Sequence, residues 1–557
     1  MNIETELKER VLYFFNQITR CNDLELEKQS IILRNLLIDI KNNGNNKEII
    51  NILYKIIGYT RDIIDGPGEY LHSYMQILVW YDYYPEFALS VLRNFVFIKN
   101  IHPYGSWKDI KNFCQYCNEK RLNYNHPLIK FCISLINNQI YIDNLPTTKI
   151  YNKSLAAKWV PREKSKKKGW IFEKLAFSYF HKYFDNVKTI ESRNKAELKC
   201  KMNYRKLISK LNKEIDTVQI KQCSGNWQSI DFSKTTSLTI YNQTNSFLNI
   251  NQINTLDRIN CSKNFKEHIN KVINSTEELK TQNVGINQLV KRAFELILMK
   301  NDNRNNNNNY KTEIDLLNLQ WKNKISKNLH LKPIIPIIDL SRPPNMYCDD
   351  IYSAIGIGCI IAEKSSFGKR ILSFSDNPCW HNLEECDNFV EIIEKFDNPY
   401  SKNVDSKEQG IILPIEYAIK LLLYSIIESG LTTEEVENLT LAIFTDNYNE
   451  GLINNINTMF KEEGLKFCGK PYVRPHILLW NLKSNVLIPC SSSESNVSMI
   501  SGFNPKLLNL FSENYKGVEQ CFEEKIIVPT LTTPWDFLLK TLSNPRYESL
   551  SLSHFLF

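Results

Sequence analysis

From residue 331 onward, short apolar runs alternate with longer amphipathic ones, and this alternation limits the fold more than any other feature of the chain. "PIIPIID", "RILSFSD", "LTLAIFTD" and "PHILLWNL" read as buried strands, because each is apolar, short and bounded by breaks. "YSAIGIGCIIAEK" and "PIEYAIKLLLYSIIES" read as the helices between them. Strands that alternate with helices form a parallel sheet covered on both faces. The expected unit is a doubly wound α/β domain over residues 331–557.

Three of these strands end in a carboxylate: Asp339, Asp376 and Asp446. In a parallel sheet these ends share one edge, where open α/β sheets bind ligands. Oxygen donors of this kind suit magnesium, calcium or manganese. A single acid there is explained as well by capping of the next turn or helix. Three in register point to a present or former ligand site. Ser341 follows Asp339 by two residues, but Pro343 and Pro344 stand where a second hydroxyl would be wanted.

Residues 1–330 have helical periodicity instead. "GINQLVKRAFELI" places Ile286, Leu289, Val290, Ala293 and Ile297 on one face. "SYMQILVWYDYYPEFALSVLRNFVFI" reads as two helices meeting near Pro85, and Gly66-Pro67-Gly68 as a turn that opens a helix. No fixed repeat period is visible, so an irregular, HEAT-like stack of helix pairs is expected. Within 225–283, "SLTIYNQ" has some strand character. The Asn-rich run at 301–309 is read as a solvated loop, since Asn tracts cannot build a core.

At 557 residues the chain is too long for a single core. Its net charge of +8, from 69 basic and 61 acidic residues, excludes a polycation but leaves room for a local basic patch. The fourteen cysteines are scattered, with one C-x-x-C pair at Cys114 and Cys117, as expected of reduced thiols in a cytoplasmic protein. The first residues lack the apolar core of a signal peptide, and no apolar run is long enough for a bilayer. The expected location is therefore neither secreted nor membrane-bound.

The basic patch is found in "KWVPREKSKKKGWIFEK". Lys158, Arg162, Lys164, Lys166, Lys167 and Lys168 are interleaved there with Trp159 and Trp170, and Arg205 and Lys206 follow in a second basic stretch over 193–213. Phosphate backbones need such positive density, and aromatic rings can stack on unpaired bases. The competing reading is a solvated helix face with its tryptophans turned into the core. Elsewhere, Cys379, His381 and Cys386 lack zinc-site spacing, His476 reads as structural, and no nucleophile has a credible base.

"IIDLS", "LSFSDNP" and "LAIFTDN" resemble a von Willebrand factor A domain, whose metal site uses an Asp-x-Ser-x-Ser run, a threonine on a later loop and a further aspartate. The resemblance implies a metal role for Asp339, Ser341 and Asp446, with magnesium the ion an intact site of this kind would hold. Pro343 replaces the second serine, and "QGIILPIEYAI", where the threonine is expected, has no hydroxyl except that of Tyr417, so the site is read as degenerate. "YTRDIIDGPGE", "HPYGSWKDI", "SLAAKWVPREKSKK", "YRKLISKL", "GNWQSIDFSK" and "SGFNPKLLNLF" look like landmarks of a family found in giant viruses of the mimivirus type and in plants. That family joins a helical region, similar to the TROVE module of the Ro RNA-binding protein, to an A-type domain. The resemblance implies architecture, not activity.

These readings lead to a non-catalytic binding protein without a cofactor. Its helical region over 1–330 would hold single-stranded or structured RNA, and the A-type domain would brace it or recruit a protein. If the chain is viral, host cytoplasm or the virion is the expected location. The rivals are a protein–protein scaffold, as in a virus particle, and a metal-dependent hydrolase using Asp339 and Asp446.

Overall fold

The computed structural model describes residues 3–42, 46–274, 284–301, 309–326, 330–342, 346–375, 377–397, 414–448, 451–484, 486–512 and 533–552. The N-terminal part is helical, and a six-stranded sheet lies in the C-terminal part.

Successive helices of the first part pack on their neighbours. Lys47–Arg61 packs on Tyr70–Tyr83, which packs on Pro85–Asn94, and Trp107–Glu119 packs on Pro127–Asn144. Pro85 opens its helix, a position where its missing N–H costs nothing. "SLTIYNQ" forms the start of helix Ser237–Phe247, not a strand. Thr236 caps it, and Ser237, Ile240 and Phe247 turn inward, which is helical spacing. Phe247 joins Phe232, Phe265 and Ile269 in a small core separate from the main one.

The strands are β1 (Ile334–Asp339), β2 (Arg370–Phe374), β3 (Cys379–Asn382), β4 (Thr440–Phe444), β5 (His476–Asn481) and β6 (Val497–Ser501). Their order is 3-2-1-4-5-6, parallel throughout except that edge strand β3 runs antiparallel to β2. The central strands β1 and β4 are apolar on both faces because helices cover both. Helix Asp349–Lys364 shows how closely. A Cβ at Gly356 would lie 2.4 Å from Ile286 Cγ1, and one at Gly358 would lie 2.6 Å from Ile338 Cδ1. Two glycines thus let one helix press on both β1 and helix Ile286–Asn301.

The two parts interlock. Asn481 and Ser501, at the ends of β5 and β6, donate to the carbonyls of Asn16 (2.6 Å) and Phe15 (3.1 Å) on helix Ile3–Asn16. The last described turn, Pro545–Leu550, returns to helix Lys47–Arg61. There Arg546 holds fully buried Asp62 through two hydrogen bonds of 2.7 and 2.6 Å. Among the described residues, no helix is long and apolar enough to cross a membrane.

Candidate functional site

The order of strands reverses between β1 and β4, so their carboxyl ends leave a crevice. A cavity of about 160 Å³ lies there. Its lining includes Asp339, Ser341 and Asp446, together with Asp350, Arg342, Lys483 and Thr445, over an apolar base containing Phe444 and Trp480. Asp376 and Pro343 lie outside the described residues.

Each carboxylate of this cavity is engaged by the protein itself. Asp339 accepts the Ser341 N–H (3.0 Å) and hydroxyl (2.5 Å) on Oδ1 and the Thr445 hydroxyl (2.8 Å) on Oδ2. Asp446 Oδ2 receives Arg342 at 2.9 Å and also pairs with Lys483. Asp350 Oδ2 is 3.0 Å from Arg342 and 3.5 Å from Lys483, while its buried Oδ1 has no hydrogen-bond partner among the described residues. Burial alone would raise the Asp446 carboxyl. Lys483 and Arg342 outweigh it and hold the group below the ordinary carboxylate range. The same carboxylates raise the Arg342 guanidinium against its own burial.

The donor set does not suit a divalent ion. Magnesium needs near-octahedral oxygens, whereas Asp350 and Asp446 already face two side-chain cations. Among the described residues, no group of three His, Cys, Asp or Glu is arranged to hold a metal. Thr445 places a hydroxyl on Asp339, whereas the loop where sequence reasoning sought one is a different one. Its signal was its place beside Asp446 in "FTDN". Arg342, Asp350 and Lys483 gave no such signal.

The basic stretch lies on the helical part. Arg162, Lys164, Lys166 and Lys167 are exposed and make no ion pair with any described residue. Helix Ile190–Ile215 packs on both Ala156–Trp159 and Gly169–Tyr179, so the two basic stretches adjoin. Arg205 meets Glu163 at 3.2 Å across this junction, and Lys206 is exposed. Much of the second stretch is engaged internally: Lys201 pairs with Glu173, and Arg193 with Glu197.

The two tryptophans differ in their surroundings. Trp170 donates its indole N–H to Gln115 Oε1 at 3.2 Å and packs on Tyr124 with ring centroids 4.7 Å apart. Trp159 instead gathers cations: the ammonium groups of Lys111, Lys108 and Lys158 lie 4.9, 5.5 and 5.7 Å from its ring centre. Lys168 stands nearby and donates to Asn112 Oδ1 at 2.8 Å. Lys108 and Lys111, on helix Trp107–Glu119, were missed from the sequence because they lie about fifty residues before the basic run.

The remaining motifs are accounted for locally. Cys114 and Cys117 are fully buried, and burial pushes the Cys117 thiol well above its usual range. His476 bridges Asn496 and Ser498 between β5 and β6. His381 Nε2 meets Ser373 (2.7 Å) and Cys379 (3.4 Å), and burial lowers its imidazole to about 4.

Residues 335–528 match a domain of unknown function (DUF7788), and residues 130–330 match a second one (DUF2828). The chain is also similar to Uncharacterized protein L728 of Acanthamoeba polyphaga mimivirus. The two are 23% identical over 485 residues, which span 82% of this chain and 76% of that protein. The two matched stretches meet between residues 330 and 335, where the hydrophobic pattern changes from helical to alternating.

Proposed function

We propose that this protein is a non-catalytic RNA-binding protein whose helical part carries the RNA and whose α/β part braces it or recruits a protein. The observation that carries the reading is the unpaired state of Arg162, Lys164, Lys166 and Lys167 beside the second basic stretch. Exposed cations that no carboxylate pairs are a polyanion footprint. Likeness of the helical part to the TROVE module adds RNA as the polyanion.

The strand order, the antiparallel edge strand and the meeting of Asp339, Ser341 and Asp446 support the likeness to a von Willebrand factor A domain. In this reading Arg342 and Lys483 do internally what a metal ion does in that family, tying the ends of β1, β4 and β5 together. Purification from nuclease-free lysate, nuclease digestion and sequencing of any protected RNA test the proposal. Protected fragments of defined length support it. Protein free of RNA, with no retention of added single strands at low salt, leaves the protein scaffold as the better account.

A further inference from the structure

We propose that Lys108, Lys111, Lys158 and Lys168 form a discrete site for a phosphomonoester dianion, anchored on Trp159. This deepens the RNA-binding reading and rests on it only for the source of the phosphate. Three ammonium groups converge on one indole, and a fourth lies on the adjoining segment. None of the four makes an ion pair with a described carboxylate.

The local counter-charge is spent elsewhere. Asp109 is the acid in the first turn of helix Trp107–Glu119. Its two oxygens are taken by Arg61 (2.8 Å each), Tyr74 (2.8 Å) and the Ser106 cap (2.8 and 2.9 Å). Lys108 and Lys111 therefore stand in the opening turns of a helix, at the positive end of its dipole, without a neutralising partner. Like charges held together in this way cost stability unless an anion joins them.

A dianion fits this charge density better than a diester, which carries one charge per phosphate. Burial, with Lys168 and Lys108 close by, lowers the Lys111 amine to about 8, and Asp109 opposes this weakly. Burial also lowers Lys158 and Lys168, with Glu119 opposing at Lys168. A monoester passes from monoanion to dianion as pH rises through about 6. The site is thus best matched to its ligand between that value and the pH at which Lys111 loses its proton.

The two sources of such a group are the 5′ end of an RNA strand and a small free phosphate. Binding of a 5′-phosphorylated single-stranded RNA and its 5′-hydroxyl twin, measured by anisotropy with inorganic phosphate as competitor, separates them. At pH 7 the phosphorylated strand should bind at least tenfold tighter, and this advantage should shrink by pH 9. Lys111→Arg, whose charge does not titrate there, should keep the advantage at pH 9, and Lys111→Met should lose it. Equal binding of the two strands overturns the site while leaving the RNA surface standing. Failure of both strands to bind, with inorganic phosphate changing tryptophan fluorescence in the unaltered protein but not in Trp159→Phe, supports the site and removes the RNA reading. No response to phosphate and no preference between strands overturns the site outright.

Discussion

Arg342 donates to Asp446 at 2.9 Å across 104 residues of sequence, and this contact joins the loop after β1 to the end of β4. Lys483, after β5, reaches the same carboxylate. The carboxylates of the crevice are therefore bridged by the chain's own cations. Replacing both, as Arg342→Ala with Lys483→Ala, should uncover Asp350 and Asp446 and raise affinity for manganese at least tenfold by calorimetry. Tight manganese binding by the unaltered protein, abolished by Asp339→Ala, would show instead that a metal displaces these cations.

The buried pair of Asp62 and Arg546 locks the end of the chain onto its beginning. Arg546→Met leaves a fully buried carboxylate without its cation, held by the Tyr547 hydroxyl and the Ile64 N–H. It should lower stability by about 3–5 kcal/mol in denaturant unfolding. Adding Asp62→Asn should recover part of that loss. A change under about 1 kcal/mol in the single variant would mean that the C-terminal turn is held by its other contacts, such as the Tyr104 hydroxyl on the Arg546 carbonyl, rather than by this pair.

Burial lowers His72 to about 3 and both His381 and His476 to about 4, from an ordinary value of 6.5. The unfolded chain therefore takes up protons that the folded chain refuses. The contribution of these groups to stability is complete above pH 6.5 and declines as pH falls toward 4. Glu69 acts with the opposite sign. Burial raises it to about 7 against Arg20 and Arg61, so its part is lost as pH rises from 4.5 to 7. Glu69→Gln should thus make the rise in urea midpoint from pH 4.5 to 7 steeper. An unchanged profile would rule out a raised Glu69.

The surroundings of Trp159 and Trp170 separate their roles. Trp170→Ala loses the Gln115 hydrogen bond and the Tyr124 contact, so it should lower the melting temperature by a few degrees. Trp159→Ala should instead weaken RNA binding several-fold, because three lysines lose their common support. Equal loss of stability in both variants would place Trp159 with the core residues.

The central strands were legible because apolar runs such as "LTLAIFTD" stand apart from anything amphipathic. Strand β3, Cys379–Asn382, was not legible: four residues at an edge carry little pattern, and its partner β2 supplies the order. "SLTIYNQ" misled because Thr, Ile and Tyr suit strands, whereas the Thr236 cap and the aromatic neighbours of Phe247 settled a helix. Asp339, Ser341 and Asp446 were legible as one site because parallel strands share an edge. Lys108, Lys111, Asp350 and Lys483 were not, because only tertiary packing brings residues so far apart in sequence to Trp159 and to Asp446.

The most direct measurement is the salt dependence of binding to a single-stranded RNA, comparing the unaltered protein with Lys164→Glu/Lys166→Glu/Lys167→Glu. All three lysines are exposed, so the fold should survive their replacement. If they neutralise phosphates, affinity should fall steeply with salt, and the variant's log–log slope should be shallower by about two. The loss should be alike for all sequences, since phosphate contacts carry no base information. Unchanged affinity and slope in the variant at low salt would contradict RNA binding by this surface.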